Sequence, residues 1–546
     1  MLLSRRLLTA PAGATLLLLL PLVGLISACS EQAGQQALDA EDVLVVGSAE
    51  EPQTLDPQYG LFGQIQQATT PVVFEPLFFR ERDARTLYPL LATSHRFLQP
   101  DQVEVTLRRG VRFSDGSAFD ADDVVFTFER LRNPSGAAIP IKYIADMIAR
   151  VEVLDAHRVV FHLTSPAPGF IGYLVEAPII SADIGLDATP AQFNALDAAV
   201  GTGPYRFARW DRGEKLVYVP NDDYWGNPAA WRRIELAFIP NHAARMAALM
   251  AGDVHLTNYV PTTDVPRLLD DASVDVVAAP SNRALYFHLD VAREISPHVF
   301  GHDGAVIPNP LRDQRVRQAL TLAIDRELIV EKILEGYASP TSQWMAQGYL
   351  GHNAALKPLQ SDRERARALL IDAGYPQGFR FTLHGTAGLY GPDVKVLQAL
   401  ASMWAKIGLQ VTVEALPPGV YWGPWSEREF SVALSSYGFH RHRIAPVVKA
   451  TVASDGYDNV GGYSNPRVDE LLAGLSQAAL PRQQEILAEV SQWLYEDVGL
   501  LPVYHFRYLF AVRTDRLRYE ASENVRDLEL LRAVPVARPA MQQASL

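Results

Sequence analysis

The sequence predicts an α/β protein of two or three domains. Three observations carry this. The chain has 546 residues, more than one compact core accommodates. Its first half is written in runs that alternate apolar and polar residues between tight turns. Its second half repeats a helix followed by a strand, the pattern of a largely parallel sheet. The 48% apolar content is that of a folded chain, not a disordered one.

The elements follow in order. DVLVVGSAEEPQTLDP (42–57) reads as a strand that runs to a turn at Asp56-Pro57. QVEVTLRRGVRFSDG (102–116) alternates through Val103, Val105 and Leu107 and stops at Asp115-Gly116. A helix then starts, with Asp120 as N-cap and Asp122 and Asp123 in the first turn, where the helix dipole favours negative charge. Val124, Phe128 and Leu131 fall on its apolar face. RVEVLDAHRVVFHLTSP (150–166) is a hairpin about Asp155-Ala156-His157. Residues 201–226 read as turn, strand, hairpin and strand, and 234–256 as strand, helix and short strand. The spacing predicts one amphipathic helix over 313–334 and a second over 361–375, capped by Ser361 or Asp362 and closed by Gly374. A strand at 379–385 precedes a helix from 393 that closes near Gly408 and passes into a strand.

The N-terminus is an export signal in form. Arg5 and Arg6 lead an apolar stretch, TLLLLLPLVGLISA, that meets Cys29. Pro21 and Gly24 interrupt it, which disfavours a membrane-spanning helix. ISAC resembles a bacterial lipobox, in which Cys29 carries the lipid, and SRRLL is a degenerate match to a twin-arginine signal. Polar residues 30–41 then serve as a tether. Cys29 is the only cysteine, so the rest of the chain holds no disulfide, thiol nucleophile or thiolate metal site. The formal net charge of −13 argues against a nucleic-acid partner. No GxSxG elbow and no HExxH motif is present, so the sequence offers no hydrolase machinery. Asp115, Asp120, Asp122 and Asp123 are explained by turn and cap chemistry without a metal. GTG at 201–203 lacks the third glycine of a phosphate loop and runs into Pro204.

Eight segments, in this order, resemble one family. They are TLDP, YPLLATS, VTLRRGVRFSDGSAFDADDVVFTFERL, GTGPYRF, NDDYWG, DQRVRQALTLAIDRELIV, RARALLIDAGY and YSNPRVDELL. The pattern is similar to the family 5 extracellular solute-binding proteins of ABC importers, the group of bacterial oligopeptide-, dipeptide-, nickel- and haem-binding proteins. It covers roughly residues 42 to 515. The resemblance implies a periplasmic-binding-protein-like α/β fold, with two lobes, an inserted third domain and a ligand cleft between the lobes. Carried onto this chain, lobe I takes 42–75, 186–285 and 503–546, the inserted domain 76–185, and lobe III 286–502. It also implies a monomer that binds a small molecule or peptide, needs no cofactor, performs no catalysis, and hands its ligand to permease subunits driven by a cytoplasmic ATPase.

The resemblance also marks a departure. In the peptide-binding members, an aspartate shortly before a proline of lobe III pairs with the peptide's α-ammonium. The corresponding stretch here is SSYGFHRHRIAP, residues 435–446. Counting four back from Pro446 gives His442, and a two-residue insertion gives His440. The stretch holds no acid. A buried ammonium without its carboxylate loses roughly 3–5 kcal/mol, about two to three decades of affinity. Imidazoles and guanidinium forks suit oxyanions instead. His440, Arg441, His442 and Arg443 are therefore expected to supply cleft contacts to an anionic or acceptor-rich ligand, with at most about half of them facing inward. Tyr437, Phe439, Trp422 and Trp425 are expected to line it, and the resemblance adds Tyr59. A metal at His440 and His442 is disfavoured by the flanking guanidinium charges. A peptide held by a different acid is the alternative ligand. An exported receptor or hydrolase on the same fold is the alternative class.

Overall fold

A computed structural model gives the fold and describes residues 42–59, 71–80, 86–132, 141–438, 444–475, 478, 480–522 and 529–536. The signal segment with Cys29, the tether, Phe439 and His440–Arg443 lie outside these residues. Among the described residues, no helix is long and apolar enough to cross a membrane.

The chain enters on β1 (Val43–Ser48), buried on both faces as a parallel strand inside a sheet must be. It then leaves to build a separate antiparallel sheet from β2 (Ala92–Gln99), β3 (Gln102–Leu107), β4 (Ile148–Asp155) and β5 (Arg158–Leu163), in the order β2-β3-β5-β4. The alternation in β3 buries Val103, Val105 and Leu107. Helix α1 (Ala121–Arg132) covers that face with Val124, Phe128 and Leu131. Its first turn is closed reciprocally: Asp122 N–H donates to Asp120 Oδ1 at 2.9 Å and Asp120 N–H to Asp123 Oδ2 at 2.9 Å.

The chain returns beside β1 through β6 (Tyr205–Asp211), β7 (Lys215–Pro220) and β8 (Arg233–Phe238). Helix α2 (His242–Ala251), capped by Asn241 and closed by left-handed Gly252, leads to β9 (Leu256–Asn258) and the long β10 (Val274–Leu289). The second half adds β11 (Val299–Gly301), α3 (Gln314–Leu322), α4 (Arg326–Lys332), β12 (Ala338–Pro340), α5 (Arg363–Asp372) and β13 (Phe379–Thr386). It continues with α6 (Asp393–Ala405), β14 (Gln410–Leu416), α7 (Pro418–Ser426), β15 (Val432–Tyr437), α8 (Ile444–Val452), α9 (Pro466–Ala473), α10 (Leu480–Asp497) and β16 (Leu501–Arg513).

All these strands except β2–β5 join one 12-stranded sheet, ordered β11-β13-β15-β10-β16-β9-β1-β8-β7-β6, with β12 on β16 and β14 on β13. It contains two parallel groups. One is β8, β1 and β9; the other is β14, β13 and β15. The antiparallel pair β10–β16 joins them. Val274–Pro280 lies against Arg507–Arg513 on the first side, and Ala284–Phe287 against Leu501–His505 on the second. The apolar interior divides accordingly. Leu44, Tyr218, Ile234 and Leu236 share one core, and Phe287, Leu320, Trp404 and Leu434 another.

Two local expectations are corrected. The predicted helix over 313–334 is broken at Ala323–Asp325 into α3 and α4. Asp325 starts the second piece by accepting from Leu328 N–H at 3.0 Å. The break turns Arg326 inward, where it is 3% exposed and donates to the carbonyls of Thr321, Thr341 and Pro502. An exposed arginine on a continuous helix would leave those buried oxygens without these bonds. The segment GVYWGPW is also helical, as α7, despite Gly419, Gly423 and Pro424. Tertiary packing overrides its poor propensity: Tyr421 is fully buried and its hydroxyl donates to Leu434 O at 2.6 Å.

Candidate ligand-binding site

The strand directions define where a ligand would sit. β9 is antiparallel to β16, and its last residue, Asn258, pairs with Phe510, on the side that leads toward the middle of β16. β15 is antiparallel to β10, and its last residue, Tyr437, pairs with Ala284. The carboxyl ends of both parallel groups therefore point at the middle of the β10–β16 pair. In open α/β sheets, ligands bind outside such strand ends.

That middle is irregular. Three residues of β10, Ser281–Arg283, face a single residue of β16 between the pairs Pro280–Arg507 and Ala284–His505. The bulge is fastened to the end of β15. Arg283 N–H donates to Ser281 Oγ at 2.9 Å, and Arg283 Nη1 to Ser436 O at 3.0 Å. Gly438 passes so close that a Cβ there would meet Asn282 Oδ1 at 3.0 Å and Arg283 Cβ at 3.1 Å. Opposite, Tyr259 follows β9 with φ +54°, a left-handed conformation that bulky residues rarely adopt.

Tyr437 stands at this junction, 36% exposed. The loop expected to carry the cationic contacts starts just beyond it and is outside the described residues. Trp422 packs edge-to-face on Tyr421 (ring centroids 5.2 Å apart) and on Trp425 (5.4 Å). Trp425 is one turn further down α7, away from the strand ends, edge-to-face with His288. Tyr59 is half-buried against the core of the β2–β5 domain, with the Arg130 guanidinium 5.4 Å from its ring centre. Sequence reasoning missed Tyr390 and Phe506, which pack together near the strand ends with ring centres 6.2 Å apart. No local signal marks them, because their proximity spans more than one hundred positions of chain.

The sequence motifs resolve into polar knots beside this frame. Asp56 of TLDP accepts from Arg130 of α1 at 2.6 Å, and both side chains are buried. Arg130 also donates to Gln58 Oε1 and Ala188 O. Glu75 is buried and accepts from Thr202 of GTGPY (3.0 Å) and from Tyr224 (3.0 Å) and Trp225 (2.9 Å) of NDDYWG. Its burial outweighs these donors and pushes its carboxyl up to about 7. Asp123 does more than the expected dipole work. It accepts from Ala182 N–H at 2.8 Å, and burial raises its carboxyl to about 6. Asp115 accepts from Ser117 N–H and hydroxyl within its turn. Among the described residues, no three acidic or histidine side chains gather as metal ligands.

The model of bacterial extracellular solute-binding proteins, family 5, matches residues 86–456, well over half of the chain. The chain belongs to the family 5 bacterial extracellular solute-binding proteins. This family 5 binding protein is 29% identical over 493 residues to the di/tripeptide-binding protein 3 of Pseudomonas aeruginosa, covering 85% of this chain and 89% of that one. It is 27% identical over 499 residues to the glutathione-binding protein GsiB of Salmonella paratyphi A, covering 85% and 90%. Among solved structures, the periplasmic binding protein DppA from Helicobacter pylori, in complex with the peptide STSA, shares the fold. Its TM-score is 0.67 at 22% identity, covering 90% of this chain and 98% of that one.

Proposed function

We propose that this family 5 protein receives a small solute for an ABC importer, enclosing it between a lobe built on 42–75, 186–285 and 503–546 and a lobe built on 286–502, with 76–185 as an inserted domain. The observation that carries the reading is the convergence of two sets of parallel strand ends on the β10–β16 bulge. The lobes would close on the ligand by bending at Ser281–Arg283 and present it to permease subunits served by a cytoplasmic ATPase. No bond in the ligand need be made or broken. The export signal and ISAC-Cys29 support a lipid-anchored monomer at the outer face of the cytoplasmic membrane or in the periplasm.

For the ligand, we infer a peptide-like solute that is anionic or lacks a free α-amine. His440–Arg443 and Arg283 would meet its oxyanion, and Tyr437, Phe439 and Trp422 its flat or apolar parts, with Tyr59 near the cleft. Of the carboxylates that follow β1 and β13, Glu51 and Asp393 are engaged, and Glu50 is exposed. Glu51 accepts from Trp210 Nε1 and Gly213 N–H, and Asp393 from Thr386 Oγ1 and the N–H groups of Gly388 and Leu389. The relatives' names, di/tripeptide and glutathione, favour a peptide as the second reading.

A thermal-shift panel on refolded chain lacking residues 1–29 separates the two. Refolding strips any ligand that co-purifies. Ligand at about 100 times its Kd adds about 2.7 kcal/mol, a rise of a few degrees. Amine-blocked peptides or organic acids are expected to raise the melting temperature, and Tyr437→Ala to weaken their binding about tenfold. A rise with free-amine peptides alone overturns the anionic reading. No rise with either class, and conversion of any of them, overturns the binding function.

A further inference from the structure

The carboxyl ends of the second parallel group carry more than Tyr437. β14, β13 and β15 lie side by side and end at Leu416, Thr386 and Tyr437. Each end leads to a large apolar side chain in water. Val420, beyond β14, is 56% exposed; Leu389, beyond β13, is 42% exposed; Tyr437 itself is 36% exposed. Strands about 4.8 Å apart set these ends in a row about 10 Å wide. Apolar residues scattered singly over a surface are ordinary. Three at adjacent strand ends, on the side where an open α/β sheet binds its ligands, form a patch with a place in the fold.

The exposure is built into the backbone. Asp393 opens α6, is 1% exposed, and holds the loop that carries Leu389. It accepts from the N–H groups of Gly388 (2.8 Å), Leu389 (3.0 Å) and Tyr390 (3.3 Å) and from the Thr386 hydroxyl (2.7 Å). Gly388 and Gly391, with φ +84° and +71°, supply the left-handed turns on either side. The start of α7 is fixed as well: Tyr421, next to Val420, is fully buried and donates to Leu434 O of β15 at 2.6 Å. Burying a leucine or valine is favourable, and this frame forgoes it at both positions.

The row is continuous with the candidate cleft. Tyr390 packs on Phe506, with ring centres 6.2 Å apart, and Phe506 lies between His505 and Arg507, opposite the β10 bulge. Residues 387–392, 417–420 and 437–438 include no charged side chain. The four cationic positions 440–443 follow Tyr437 closely in the chain. A ligand that meets both is amphipathic, with an acceptor-rich part and an apolar part.

We propose that Leu389, Tyr390, Val420 and Tyr437 form an apolar seat for a leucine-sized or larger side chain of the ligand. This rests on the reading that the ligand sits at these strand ends, and it narrows that reading. The solute is a peptide-like molecule with a large apolar side chain, not a small hydrophilic one.

The test uses the refolded chain lacking residues 1–29 and isothermal titration calorimetry. The probes are N-acetylated trialanine, its three single-leucine variants, and the same peptides with free amines. In at least one series, leucine at one position is expected to tighten binding about tenfold or more over trialanine. Leu389→Ser/Val420→Ser should cut that preference to about twofold, with the trialanine affinity and the ligand-free melting temperature unchanged, because both side chains are exposed. Binding of every peptide with equal affinity overturns the seat and leaves the binding function standing. A leucine preference that survives the double substitution overturns the assignment to these residues and gives the row to a partner protein. No binding by any peptide overturns the seat together with the peptide-like class.

Discussion

Asp56→Ala is expected to lower stability by about 3–5 kcal/mol, a large fraction of what a domain of this kind has. Arg130 is 2% exposed and loses the carboxylate 2.6 Å away, while Gln58 and Ala188 offer neutral oxygens alone. A guanidinium buried without a counter-charge is costlier than the pair was favourable. The double variant Asp56→Ala/Arg130→Met should therefore be more stable than Asp56→Ala alone. Urea denaturation midpoints of the unaltered protein, Asp56→Ala, Arg130→Met and the double variant decide this. If the two substitutions cost simply additive amounts, the pair is not acting as a coupled charge pair.

The second large effect is a stability that climbs steeply with pH from about 5 and levels above about 7. Four histidines are held neutral by burial: His288 at about 3, and His255, His384 and His505 at about 4, against 6.5 when unfolded. Between these values the unfolded chain binds up to four more protons than the folded one, so stability falls as pH falls below about 6. Glu75 and Asp123 act with the opposite sign. Their folded values of about 7 and about 6 lie above 4.5 and 3.8, so the folded chain binds up to two more protons there. The net difference near pH 5 is about 4 − 2 = 2 protons, a slope of about 2.7 kcal/mol per pH unit. As pH rises from about 5 to above 7, the contribution of Glu75 is lost. Melting temperatures from pH 4.5 to 8.5 should rise and then level, and Glu75→Gln, which removes an opposing contribution, should steepen the rise between about pH 5 and 7. A slope between pH 5 and 7 that Glu75→Gln leaves unchanged would contradict the neutral burial of Glu75.

What was legible in the sequence was local. The alternation of Val103, Val105 and Leu107 sets the buried face of β3 within one strand, and Asp362 and Gly374 mark the two ends of α5 within a turn each. The repeated helix-then-strand order foretold the parallel group β13, β14 and β15. The partners of the motif residues were not legible. Asp56 meets Arg130 across 74 positions, and Glu75 meets Trp225 across 150. Such pairings follow from the closed topology, not from local chemistry. The break before Arg326 was half legible. Asp325 is a good cap, but the apolar period runs through it, and only the distant carbonyl of Pro502 explains why the arginine turns inward. In the candidate site, Tyr437 was legible from its place before the basic loop. Arg283 was not, because its role arises from a strand bulge that pairs it with a residue 153 positions away.

The place of β16 in the sheet has a consequence for the order of folding. It is the seam between β9 and β10, yet it is the last long strand to be made. Until residues 501–513 exist, the β6–β9 group ends in a bare edge at β9, and the β11–β15 group ends in another at β10. Each half can gather its own core, but neither can finish its sheet, and unpaired edges invite other chains. Closing the seam also joins residues more than two hundred positions apart, the slowest kind of contact. Pulsed hydrogen exchange during refolding is expected to protect the amides of Leu501–Arg513 last, together with their partners in β9 and β10. Protection of those amides ahead of β8 and β13 would mean that the seam is the nucleus. In the expected order, the long β10–β16 pair works as a zip drawn once, at the end, that turns two half-finished sheets into one.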